Sequence, residues 1–208
     1  MSTPVRSYGG KSAVERARER RTRLVDATIA LLATHGEAGT TMTAICARAG
    51  LTERYFYESF AHREDALLAA LDHVSEQIAA AALEAVARTP GSPEQRVHGV
   101  MAAFVDLVSS DPALGLVAVV QSSATPTLRA RRHELIGSFA DLVAHEAAVL
   151  YGEDAWPADR ARIQGLVYVA GFAELVASWL TGEVDLTADQ LTATASDLFH
   201  SLSRRNPL

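Results

Sequence analysis

The chain of 208 residues is 49% hydrophobic and 21% charged, enough apolar material for a sizeable core in one or two domains. Its one cysteine, Cys46, excludes an internal disulfide framework and, with no histidine pair nearby, suggests no structural zinc. The net charge of -6 hides an asymmetry, because residues 1–63 carry ten Lys and Arg against six Asp and Glu, about +4, while residues 64–208 carry nine against nineteen, about -10.

A basic piece joined to an acidic body is the pattern expected of a nucleic-acid binder, since Lys and Arg that neutralise phosphates release counterions. Residues 1–10, ending in Gly9 and Gly10, read as a loose basic arm, polar where a secretory signal has its apolar core, so a cytoplasmic protein is expected. Apolar residues then recur at helical spacing in almost every segment and alternate nowhere, which predicts an all-α fold. The first helix has a basic start at Arg16, Arg18, Arg20, Arg21 and Arg23, a core stripe at Leu24, Ala27, Thr28, Leu31 and Leu32, and a stop at Gly36.

A second, short helix follows Thr40 and Thr41, either of which can cap it, with Met42, Ile45, Cys46 and Ala49 on one face. Gly50 permits a tight turn, Thr52 can cap a third helix, and Phe56 and Phe60 recur at i and i+4 toward the core. Two short helices joined by a glycine turn make a helix-turn-helix. Phe56 and Phe60 are most simply core, whereas Arg54, Tyr55 and Tyr57 lie off that stripe. Groove and phosphate contacts would account for them, because the start of the second helix of this motif enters the major groove. Glu58 is expected to pair with Arg54 one turn earlier. Glu53 either accepts from a cytosine amine or simply favours the helix dipole.

The run TTMTAICARAGLTERYFYESFAHREDAL resembles the tetR family of bacterial transcriptional regulators, with its Thr-rich helix start, its alanine-glycine turn and its Tyr-x-x-Phe segment followed by a basic residue. The resemblance is close over the first 65 to 70 residues and elsewhere lies only in helical layout. It implies that Tyr57 and Arg63 contact phosphates, that Thr41 or Thr43 does the same, and that Thr52, Glu53, Arg54 and Tyr55 face base edges, with Arg48 a further phosphate candidate. Cys46 stands where alanine is usual, and His62 replaces a small capping residue, which predicts a weaker start for the fourth helix. The family further implies a homodimer on inverted-repeat double-stranded DNA and a small-molecule effector.

Beyond Arg63 a long fourth helix carries Leu67, Leu71, Val74, Ile78 and Ala82 until residues 90–93 break it. Further helices are expected over residues 93–109, 112–122, 126–151, 157–180 and 187–203, the last opened by a capping box of Thr187 and Gln190. The division is therefore a helix-turn-helix domain at 11–62 and an effector-binding and dimerisation body at 63–208. The helix at 157–180 is apolar nearly all round and needs cover on more than one side, so it and the last helix are expected to meet a second copy, through Ala173, Leu180, Leu191, Leu198 and Leu202. The alternative is a larger core within one protomer. Residues 165–180 carry Glu174 and Ser178 and are short for a membrane span. The resemblance implies an effector pocket among the middle helices, for which His98, Phe104, Gln121, Phe139, Tyr168 and Phe172 are candidates, each of which is otherwise an ordinary core residue. An apolar lining would suit a hydrophobic or amphipathic molecule.

No reactive constellation is present. The seven histidines are scattered, no helix carries a metal pair, no Gly-rich phosphate loop appears, and no cofactor is expected. Cys46 lies on a core stripe, where it reads as structural. The expected function is a ligand-responsive DNA-binding regulator, most simply a repressor. An all-helical carrier or adaptor is the alternative, and it would leave the basic helix and the Tyr55 to Tyr57 surface without a role.

Overall fold

The computed structural model describes residues 12–205. The arm expected at 1–10 lies outside them. The described residues form nine α-helices: α1 Ala13–Gly39, α2 Met42–Ala49, α3 Glu53–Ser59, α4 Arg63–Arg88, α5 Pro93–Ser110, α6 Pro112–Gly115, α7 Pro126–Tyr151, α8 Ala158–Leu180 and α9 Ala188–Ser203. The only strand-like pairing among them is an isolated antiparallel bridge between Ala155 and Arg204.

Local chemistry sets most of the ends. Ser12, Thr41, Ser92, Asp111, Thr125 and Thr187 each accept a backbone N–H in the first turn of the following helix, satisfying donors that a helix start leaves orphaned. Thr40 is buried instead, its hydroxyl donating to the Gly36 carbonyl at 2.7 Å. The stop expected at Gly36 is a break rather than an end. The backbone there leaves helical geometry at φ 65°, and one further turn continues to Gly39. At the start of α4 the His62 N–H donates to the Asp65 carboxylate at 2.8 Å, so the cap that His62 was expected to weaken is closed from the other side.

The amphipathic faces of α1 to α4 close around Leu24, Leu32, Ile45, Phe56, Leu67 and Leu71, all at most 1% exposed. Leu114, Val117 and Leu128 complete this core from the second half of the chain. Two smaller clusters fill the body, one around Val97, Ala147, Tyr168 and Phe199 and one around Val105, Val176 and Leu191. The segment expected as one helix over 112–122 is instead three pieces: short α6, a π-helical turn at Leu116–Val120 and a 3-10 turn at Gln121–Ser123. A π turn inserts one residue and redirects the side chains around it.

Helix α7 lies along α8, and Gly165 allows the close approach, since a Cβ there would sit 2.5 Å from the Ala140 carbonyl oxygen. Packing inside one protomer takes up part of the side chains expected at a subunit contact, leaving Ala173, Leu180, Leu198 and Leu202 half-buried. Leu191 is fully buried. Leu180, Leu198 and Leu202 pack against the body clusters, and Ala173 faces an internal cavity. The α8 side chains left outside are Ile163, Leu166 and Val167, at 63%, 42% and 54% exposure. Helical periodicity marked both apolar faces of α8 without distinguishing them. Residues 165–180 belong to a helix of 23 residues, so shortness does not argue against a span; α4 and α8 are both long and apolar enough to cross a membrane by length and composition.

Adjacent rings on α3 provide a test of the packing. Phe56 is fully buried and Tyr57 is 59% exposed. Replacing Phe56 by Ala should lower the unfolding free energy by about 3–5 kcal/mol, and Tyr57→Ala by less than about 1 kcal/mol. Urea titration of both variants checks this, and equal losses would contradict the assignment.

Candidate functional site

The helix-turn-helix is built on Gly50. At φ 62° it takes the left-handed conformation that closes α2, and the Leu51 N–H donates to the Cys46 carbonyl at 3.0 Å. A Cβ at this position would also meet the Arg23 guanidinium at 3.0 Å. Cys46 lies beneath the turn, 4% exposed, and burial raises its thiol pKa, with the Glu53 charge acting in the same direction. A cysteine buried in this way behaves as a small apolar side chain of the core.

Three arginines within about one turn of α1 hold the motif from one side. Arg23 donates to the Ala49 carbonyl, and Arg21 donates to the Ser59 carbonyl at 3.0 Å while lying 4.3 Å over the Phe60 ring. Arg20 stacks 4.5 Å over Tyr55 and pairs with Glu58 at 3.2 Å. Glu58 also takes the expected bond from Arg54, at 3.2 Å. Sequence reasoning read these α1 arginines as the basic start of a helix in a nucleic-acid-binding piece, not as contacts to α3. The signal that could have found Arg20 is its position four residues before Leu24, on the face that leads into the core.

The face opposite these arginines is open. Thr41, Thr43, Arg48, Thr52, Glu53, Arg54 and Tyr57 are all exposed, on α2, the turn and α3. Thr52 makes no side-chain capping bond, which leaves its hydroxyl available. Arg54 is 84% exposed, so its pairing with Glu58 contributes at most about 1 kcal/mol and is easily exchanged. Two candidates differ from this group. Tyr55 is half covered by Arg20, and Arg63 is bound to the Glu37 side chain and backbone carbonyl at the end of α1.

A second feature lies in the body. A cavity of about 210 Å³ is lined by residues of α4, α5, the π turn, α7, α8 and α9. Phe104, Phe139, Tyr168 and Phe172 line it, with Phe104 and Phe172 in ring contact at 5.3 Å and Tyr168 and Phe172 stacked at 5.9 Å. His98 and Gln121 do not line it. His98 is exposed on α5, and Gln121 sits beside Gly36 of α1, 3.7 Å from where a Cβ would lie. Sequence reasoning missed Leu71, Ala118 and Val119, which line the cavity from α4 and the π turn. Burial pushes the Tyr168 phenol pKa up, and its hydroxyl donates to the Ala195 carbonyl at 3.3 Å. Among the described residues no group of three His, Cys, Asp or Glu side chains is placed to hold a metal ion.

Residues 24–71 match the model of the bacterial regulatory proteins of the tetR family. The HTH-type transcriptional regulator BetI of Burkholderia thailandensis is 32% identical over 117 residues, which are 55% of this chain and 60% of that protein, so the match spans less than two thirds of its length. In overall fold the chain is similar to the fatty acid degradation regulator FadR of Bacillus halodurans, at TM-score 0.73 and 16% identity over 94% of this chain and 100% of that one. It is also similar to FadR of Bacillus subtilis in complex with stearoyl-CoA, at TM-score 0.69 and 17% identity over 88% and 97% of the two chains.

Arg20 provides the test of the site's geometry. Replacing it by Ala should destabilise the protein by about 1 kcal/mol through the lost ring and carboxylate contacts, whereas exposed Arg18→Ala should stay within about 0.5 kcal/mol. Thermal unfolding of the two variants separates them, and equal behaviour would show that Arg20 does not hold α3. Residues 24–71 thus carry the helix-turn-helix of the tetR family model, and the chain as a whole shares the fold of the Bacillus halodurans regulator.

Proposed function

We propose that the protein is a homodimeric DNA-binding transcriptional regulator, a repressor released from an inverted-repeat operator by a small hydrophobic or amphipathic molecule. The observation that carries this reading is the pairing, in one chain, of an open polar helix-turn-helix face with an apolar cavity whose wall includes the core beneath that motif. Thr52, Glu53 and Arg54 are the base-edge candidates, and Tyr55 contributes from beneath Arg20. Thr41, Thr43, Arg48 and Tyr57 are the phosphate candidates. Arg63 joins them by exchanging Glu37 for a phosphate. The functional units are the arm at 1–10, the DNA-binding domain at 11–62 and the effector and dimer body at 63–208.

Two copies are needed to reach successive major grooves. The exposed Ile163, Leu166 and Val167 of α8 support a two-fold contact there, since an apolar stripe of this kind is stabilised by burial against its own copy. The FadR of Bacillus subtilis, similar in fold, is solved in complex with stearoyl-CoA, which supports an effector with an apolar body. The protein acts by binding, in the cytoplasm, and no catalytic step is assigned to it.

Selection from randomised duplex DNA tests the proposal. Enrichment of an inverted repeat is expected, and binding without sequence preference would favour the carrier reading. On the selected duplex, Arg54→Ala should relax the preference at one base by roughly 1–3 kcal/mol. Arg48→Ala should weaken all sequences alike and reduce the salt slope by about 1. An unchanged base preference in Arg54→Ala would remove Arg54 from the base-reading set.

A further inference from the structure

The body cavity is apolar but not uniformly so, and its polar groups differ in how they are engaged. The Ser75 hydroxyl donates to the Leu71 carbonyl at 2.9 Å, and the Tyr168 hydroxyl donates to the Ala195 carbonyl. Both are satisfied inside the protein and have no donor left for a ligand. The wall is otherwise polar only at Arg132, Arg96 and Glu146. Two arginines against one glutamate leave it with a positive balance.

Arg132 is the group best placed to exchange its partner. It lines the cavity with its side chain 22% exposed, and its guanidinium donates to Glu174 at 2.6 Å. Glu174 does not line the cavity and is itself 70% exposed. A carboxylate so exposed returns to water at little cost when another anion takes its place. A guanidinium at the edge of an apolar space gains more from a ligand anion than it would in bulk water, and its planar fork suits a carboxylate. At the far end Arg96 and Glu146 both line the wall, so charges of opposite sign leave no net preference there.

Size and shape complete the description. Engineered apolar cavities of about 150 Å³ bind benzene, so 210 Å³ accepts a body somewhat larger than one ring without moving the walls. Arg132, Leu135, Ile136, Phe139, Val143 and Glu146 line it along a single face of α7. At 1.5 Å per residue these side chains are spread over roughly 21 Å of α7, with Arg132 at one end and Glu146 toward the other.

We propose that the cavity takes a small amphipathic carboxylate, an alkyl or aryl acid whose apolar body lies along α7 and whose anionic group pairs with Arg132 in place of Glu174. This rests on the reading of the cavity as the effector site. The charged group then selects among ligands of equal apolar size, and Glu174 is a built-in competitor that sets the affinity.

Titration calorimetry on the full chain at fixed ionic strength, with sodium octanoate, 1-octanol and octyltrimethylammonium as probes, tests the assignment. Octanoate is expected to bind at least about tenfold more tightly than octanol. Arg132→Gln should abolish that advantage and leave octanol binding unchanged. Glu174→Gln should tighten octanoate alone, an effect opposite to that of general structural damage. Octanol binding as tightly as octanoate, a preference for the cation, or an octanoate advantage that survives Arg132→Gln would each overturn the proposal while leaving the cavity an apolar binding site. Failure of all three probes to bind would remove the effector-site reading together with it.

Discussion

The structure depends on one shared hydrophobic core. Leu24, Leu32, Ile45 and Phe56 of the helix-turn-helix half are packed with Leu67, Leu114, Val117 and Leu128 of the body. Interiors packed at this density do not deform continuously, so a displacement on one side of the core is felt on the other. Leu71 belongs to this core at 1% exposure and also lines the cavity. The π turn has the same double membership, with Val117 in the core and Ala118 and Val119 at the cavity wall. The α1 arginines also tie α3 to α1 on the outer side of that core. Gln121 beside Gly36 adds a contact at the break in α1.

The apolar cavity is unfavourable by the same physics, since its lining side chains lack packing partners on one side. A binding role accounts for retaining such a void, because an occupant recovers the lost contacts and stabilises whichever arrangement of α4, α7 and the π turn it fits best. The charges at the cavity ends add little to stability but discriminate among occupants of similar size.

Much of this was legible in the residues themselves. Periodicity and caps located the helices, since Thr41 and the Thr187 and Gln190 box are local signals that tertiary packing did not override. The Phe56 and Phe60 spacing marked the buried face of α3, and the Arg54 and Glu58 spacing marked its exposed pair. What remained illegible depends on long-range placement. Arg20 and Glu58 are 38 residues apart, so nothing local reveals that a basic residue on α1 turns toward Tyr55. Leu191 and Ile163 both sit on apolar stripes, and only packing decides that the first is core and the second is surface. The π turn carries Leu116–Val120, an apolar run that helical periodicity cannot distinguish from an ordinary buried helix.

The central claim is that cavity and recognition surface are linked through the shared core. Linkage is reciprocal, so an occupant that weakens DNA binding by some factor must itself be weakened by DNA to the same factor. The direct measurement is a double titration with a selected duplex and a cavity ligand, reading duplex affinity with and without ligand and ligand affinity with and without duplex. The account predicts that both affinities fall by the same factor, on the order of 5- to 150-fold for couplings of ordinary size. Ligand affinity unchanged by a saturating duplex would contradict it.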